Sequence, residues 1–265
     1  MGKMCLNGIR ILDLTRLIPG PFCTQMLGDL GAEVIKIEDP FVGDYTRWAS
    51  VTDSKGEGKN PHFLGLNRNK KSFTLNLKAR KGRAIFRKLV AISDVVVESF
   101  RPGVVDRLGI GYKKMRNLNC RIIYCSISSY GQNGPYKNKA GHDINSLAAT
   151  GILDITGKQG GPPVIPGVQI ADFSAGMWAA FAIVAALLAR KRNKEGQYID
   201  VSMTDGVLSW LSLHAAKYFA EKNIPTVVFG SGSTSRAHAY DEYVEVDQLV
   251  DSARILALLA LDLLT

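Results

Sequence analysis

The strongest constraint on this chain is an alternation of short apolar runs with longer amphipathic ones. Ile9–Leu14 reads as a strand, Pro19-Gly-Pro21 opens a helical stretch to Leu30, and Gly31 stops it before a second strand at Glu33–Glu38. Proline costs little in a first helical turn, where its missing N–H would have no partner. The pattern continues with strands at Ser72–Leu77, Asp94–Glu98 and Arg121–Ser128, and helices at Ala79–Ile92 and Tyr112–Asn119. Beyond these come a helical run at Ile144–Ala149, a buried helix at Asp172–Arg192, a strand at Gln197–Met203 and an amphipathic helix at Thr204–Lys222. Such alternation predicts an α/β domain around a parallel sheet, with ligands at the C-terminal ends of the strands. The first β-α-β unit has no Gly-x-Gly-x-x-Gly, so a dinucleotide is not implied. Residues 41–62, 129–141 and 157–167 read as loops, and long loops inside compact domains are commonly functional. Toward the end lie a Gly/Ser-rich segment at 226–239, a strand-like Tyr240–Val246 and an apolar helix-like run, Gln248–Leu264.

Composition narrows the class. The chain of 265 residues is 46% hydrophobic and 22% charged, an ordinary globular mix that excludes disorder and fibrous repeats. The four cysteines (Cys5, Cys23, Cys120, Cys125) form no Cys-x-x-Cys pair, and His62, His214 and His238 have no ligand spacing, so no metal is expected. The longest apolar run, Ala175–Ala189, falls short of the ~20 residues of a spanning helix. With no signal-peptide pattern at the start, the reading is a cytoplasmic protein with no membrane partner. The formal net charge is +9. Between Asn67 and Lys88 stand Arg68, Lys70, Lys71, Lys78, Arg80, Lys81, Arg83, Arg87 and Lys88, with no acid among them. Such a stretch attracts nucleic acid or a phosphorylated cofactor, and its second half reads equally as a solvated helix face. No zinc-finger, helix-turn-helix or RNP pattern supports a nucleic-acid partner.

Two acids and a histidine follow flexible loops. His142-Asp143 ends one loop and Asp172 another, each at the start of a helical run. Histidine serves as a base near neutral pH. Either acid also stands where a helix N-cap would. Ser128 and Ser129 lack the Gly-x-Ser-x-Gly frame of a serine hydrolase.

Eight stretches together resemble the family III CoA-transferases. They are Ile11–Leu14 with Pro19–Pro21, Gly31–Glu38, Leu66–Ser72, Glu98–Gly103, Tyr130–Pro135, Gly141–Asp143, Ala171-Asp172 and Asp200–Gly206. His142 before Asp143, and Asp172 after Ala171, resemble the α-methylacyl-CoA racemase branch. The resemblance implies a large α/β domain with a Rossmann-like sheet over residues 1–205. A linker helix and a partial, truncated small domain follow over 206–265, and two chains interlock as a homodimer. It also implies an acyl-CoA substrate and no cofactor beyond that substrate's CoA moiety. Lys36, Asn67, Arg68, Lys70 and Lys71 match the family's nucleotide-holding region, and Arg101 an active-site arginine.

The resemblance carries two mechanisms. The favoured one is racemisation of 2-methylacyl-CoA, with His142 and Asp172 exchanging the α-proton on opposite faces of the carbon. In the alternative the carboxylate of Asp143 attacks the thioester, and an aspartyl-CoA intermediate passes CoA to an acceptor acid. Relatives continue for about a hundred residues with a further glutamate that matches no residue here. A CoA-binding chain without turnover is therefore a third expectation.

Overall fold

The computed structural model describes residues 4–48 and 60–221. Residues up to Leu211 form one compact unit; a second begins at Ser212. The first unit is built on six parallel strands: β1 (Arg10–Leu14), β2 (Glu33–Glu38), β3 (Lys70–Thr74), β4 (Val95–Glu98), β5 (Ile123–Ser128) and β6 (Tyr198–Ser202), in the order β3-β2-β1-β4-β5-β6. This is a doubly wound arrangement, whose chain direction across the sheet reverses between β1 and β4. Helices α1 (Pro19–Asp29), α2 (Pro61–Asn67), α3 (Arg80–Ala91), α4 (Val104–Leu108) and α5 (Tyr112–Leu118) occupy the first half. Helices α6 (Asp143–Ala149), α7 (Ile152–Ile155), α8 (Ile170–Asn193) and α9 (Met203–Leu208) follow.

The central strands are apolar on both faces, as a sheet covered on both sides requires. Alternate residues feed two cores. Ile11, Val95, Val97, Ile123, Cys125 and Ile127 pack against α1 and α8. Leu12, Val96 and Tyr124 meet Phe86 of α3 and Met115 of α5 on the opposite face. Helices α1 and α8 approach closely at Gly176, where a Cβ would lie 2.7 Å from the Pro19 carbonyl oxygen. Among the described residues α8 alone has the length and apolar content of a membrane span, and half of that stretch is buried inside the protein.

The elements lie close to those the pattern predicts, with informative exceptions. The third strand is Lys70–Thr74 rather than Ser72–Leu77, because it pairs with β2 from Val34–Lys70 onward. The loop predicted over 41–62 contains a 3-10 turn, Tyr45–Arg47, and gives way to α2 at Pro61, capped by the Asn60 side chain on the His62 N–H. The helix predicted over Thr204–Lys222 is broken by a 3-10 turn at Ser209–Leu211. The second unit is described only by the helix Ser212–Glu221, α10. The segments 226–239, Tyr240–Val246 and Gln248–Leu264 lie outside the described residues.

Candidate active site

The loop after β1 is fixed by a buried polar network. Asp13 Oδ1 accepts the Thr15 N–H at 2.8 Å and the Thr15 hydroxyl, while Oδ2 accepts from Thr24 Oγ1 at 2.7 Å and Lys70 Nζ at 3.1 Å. Lys36 Nζ donates to the Thr15 carbonyl at 2.9 Å and pairs with Asp44 at 3.0 Å. Burial alone would raise the Asp13 pKa, but Lys70, Lys36 and the two threonine hydroxyls outweigh it and hold the carboxyl down to about 2. Gly20 lets α1 close over this network, since a Cβ there would sit 2.2 Å from Thr15 Cβ. The next residue but one, Leu17, adopts a left-handed backbone with φ 64°. That conformation costs a non-glycine residue of order 1 kcal/mol and persists only where its surroundings enforce it.

Leu17 overlooks two cavities at the C-terminal end of the sheet, beside the β1–β4 reversal. The first, about 250 Å³, is lined by residues following β1, β4 and β5, with Arg16, Arg101, Lys137 and Lys139 as its cations. Tyr45 also reaches it. Arg47 holds that 3-10 turn, donating to both Glu38 carboxylate oxygens at 2.8 Å while its guanidinium stacks on Phe63 at 3.7 Å. The second cavity, about 310 Å³, lies against α6 and the segment entering α8. His142 and Asp172 line both cavities, whereas Asp143 lines the second only.

The two acids are placed differently. Asp143 Oδ1 accepts the backbone N–H groups of Ala171 at 2.6 Å and Asp172 at 3.0 Å. It thereby caps α8 from another element, where the preceding Gln169 provides no side-chain cap. Asp172 faces the cavities from the first turn of α8, and its pKa is raised from 3.8 to about 7, first by burial and then by the Asp143 charge. His142 is exposed and its N–H donates to Asn145 Oδ1 at 2.9 Å.

The structure brings His142, Asp143, Asp172 and Arg101 together but not the residues predicted to hold the nucleotide. Lys36 and Lys70 are each 2% exposed in their side chains and engaged in the network around Asp13. Asn67 accepts from Lys70 and donates to the Phe63 carbonyl. Arg68 pairs with Asp29 and Lys71 with Glu33, at the N-terminal edge of the sheet, opposite the cavities. None of the five lines either cavity. The reason is tertiary: the acid-free segment meets carboxylates supplied by β1, α1 and β2. Arg16, Leu17, Lys137 and Lys139 were not singled out from sequence. Arg16 and Leu17 directly follow an apolar strand, and the lysines sit in the turn-rich loop 129–141, the positions where an α/β fold collects ligand contacts. Among the described residues no group of three or more His, Cys, Asp or Glu is arranged to hold a metal.

A doubly wound sheet with cations and a half-buried aspartate beside its switch point marks an α/β protein whose ligand side lies at the C-terminal ends of its strands. The chain belongs to CoA-transferase family III, which it matches over residues 6–250. It is 45% identical over 214 residues to the succinyl-CoA:glutarate CoA-transferase of Mus musculus, covering 80% of this chain and 48% of that protein. It is 43% identical over 206 residues to the acetyl-CoA:oxalate CoA-transferase of Acetobacter aceti, covering 77% and 52%. A crystal structure of a CAIB/BAIF family protein from Brucella suis superposes with a TM-score of 0.79 at 37% identity, covering 85% of this chain and 60% of that one. The chain spans about half the length of the curated relatives it matches. These relatives are named for CoA transfer between acids and not for the racemisation that the resemblance favours.

Proposed function

We propose that the chain transfers CoA between carboxylic acids through a covalent intermediate on Asp172, in place of the racemase activity favoured from sequence. The observation that carries this reading is the position of Asp172 at the wall between two cavities, with its carboxyl kept basic by burial. The alternative that the resemblance carries gives the nucleophile's role to Asp143, but one oxygen of that carboxylate, Oδ1, accepts the two backbone N–H groups that open α8. In its ionised form Asp172 attacks the acyl-CoA carbonyl, forming a mixed anhydride and releasing CoA thiolate. The thiolate attacks the aspartyl carbonyl, giving an aspartyl-CoA thioester and the free donor acid. The acceptor carboxylate then attacks that thioester, and the released thiolate takes the acceptor's acyl group and regenerates Asp172. Each step exchanges one acyl bond for another, and no water is consumed. Arg16, Arg101, Lys137 and Lys139 supply the positive charge for the CoA phosphates. Lys139 is further steadied over the Tyr136 ring at 3.8 Å.

We assign it a homodimer as well, supported by an apolar stripe of Met177, Phe181, Val184 and Leu188 along α8 that is exposed among the described residues, Phe181 being 68% exposed. One observation favours the racemase as a second reading: His142 and Asp172 line the same two cavities.

Incubation with succinyl-CoA or hexanoyl-CoA, trapping with hydroxylamine and peptide mass spectrometry decides between them. The expected product is a hydroxamate on Asp172. A label on Asp143 overturns the assignment of the nucleophile. Acceptor-independent exchange of the α-proton of 2-methylacyl-CoA in D2O, with no label on either acid, overturns the transferase reading.

A further inference from the structure

The two cavities that meet at Asp172 differ in chemical kind. The first carries four cations, Arg16, Arg101, Lys137 and Lys139. The second is walled by Leu17, Ile18, Ile144, Ile165, Pro166 and Val168, beside Asp143, Gln169, His142 and Asp172, with no lysine or arginine among the described residues that line it. Leu17, His142 and Asp172 alone are common to both linings. A thioester carbonyl at Asp172 has its CoA on one side and its acyl group on the other. If the phosphates lie toward the cations, the acyl group is directed into the second cavity.

We infer that this second cavity is the acyl chamber, and that its walls select monocarboxylic acids with an apolar chain over dicarboxylic acids such as glutarate. The inference rests on the transferase reading of Asp172. A distal carboxylate in this chamber would meet no lysine or arginine among the described lining residues and would face the Asp143 carboxylate, a like-charge pairing that opposes its binding. A hydrocarbon chain in the same place gains from each methylene removed from water. Leu17 stands as the partition. Its left-handed backbone, anchored two residues after Thr15, places it on the wall between the chambers.

Calorimetric binding of acetate, butyrate, hexanoate and glutarate to the full chain tests this. Affinity is expected to rise about three- to fourfold per methylene from butyrate to hexanoate, with glutarate weaker than hexanoate. Ile144→Asp and Val168→Asp are each expected to weaken hexanoate binding by more than about tenfold. Ile165→Trp provides a variant at an exposed position that the fold tolerates; by filling the chamber it should abolish hexanoate binding and spare acetate. Glutarate binding tighter than hexanoate, an affinity flat across the series, or variants that bind hexanoate like the parent chain would overturn the proposal. Hexanoate binding that depends on Ile144 and Val168, with no adduct on Asp172, would keep the chamber and reject the nucleophile.

Discussion

Replacing Asp172 with asparagine separates what the site does from what it costs the fold. The Asp172 pKa is raised from 3.8 to about 7, mainly by burial and secondarily by Asp143. Below about pH 4 the carboxyl is protonated in both folded and unfolded chains, and it contributes no pH dependence. As the pH rises from 4 toward 7, the unfolded chain ionises first and folding is progressively opposed; above about 7 the penalty is complete. Each tenfold in proton affinity is worth about 1.4 kcal/mol, so the full penalty is on the order of 4 kcal/mol. Asparagine is nearly isosteric and does not ionise. Asp172→Asn should therefore match the parent chain near pH 4 and exceed it by on the order of 3–4 kcal/mol at pH 8, roughly 6–16 °C in Tm for a chain of this size. The same variant should give no transfer, the usual exchange of stability against a strained site. Urea and thermal unfolding at pH 4, 6 and 8 measure the difference. A gain that does not grow with pH, or a variant less stable than the parent at pH 8, would refute the view that burial keeps this carboxyl basic.

Asp143→Ala should cost about 1–2 kcal/mol in urea unfolding, because two N–H groups of the first turn of α8 lose their acceptor. Asp143→Asn keeps an acceptor but removes the charge, so the pH midpoint for hydroxamate formation at Asp172 should fall below about 7 while staying above 3.8. Lys70→Met should cost about 3–5 kcal/mol at pH 7, since it strands the Asp13 carboxylate in the core. With the Asp13 pKa depressed to about 2, that contribution is whole above 3.8 and fades as the pH falls through 2, so unfolding at pH 7 and pH 2 should show the deficit shrinking.

The strand–helix order was legible because central strands such as Val95–Val97 can only be buried, and a helix such as α3 carries a single apolar stripe with Phe86 and Val90 inward. The β3 register was not. Lys70, Lys71 and Ser72 have no strand-like apolar pattern, and their pairing with Val34, Ile35 and Lys36 is set by the neighbouring strand. His142 and Asp172 could be found because they follow loops at helix starts, yet sequence could not divide the work between Asp143 and Asp172. That division depends on which carboxylate the first turn of α8 captures, a contact across 28 residues. The cations told the opposite story. Lys70 looks like a surface charge from its neighbours in the chain, but Asp13, 57 residues away, makes it part of the core.

The placement of β1 at the centre of the sheet also has a consequence for how the molecule is made. Its partner β4 lies far downstream: the Arg10 N–H bonds Asp94 across 84 residues. At a synthesis rate of about 5–20 residues per second, Ile11 and Leu12 leave the ribosome roughly 4–17 s before their neighbours on that side exist. The earliest partner available is β2, so the nascent chain carries an open apolar edge throughout that interval. Interactions this distant in sequence close slowly. Synthesis from the N-terminus therefore leaves the middle of the sheet, and with it the loop that bears Leu17, waiting for Val95–Glu98 to arrive.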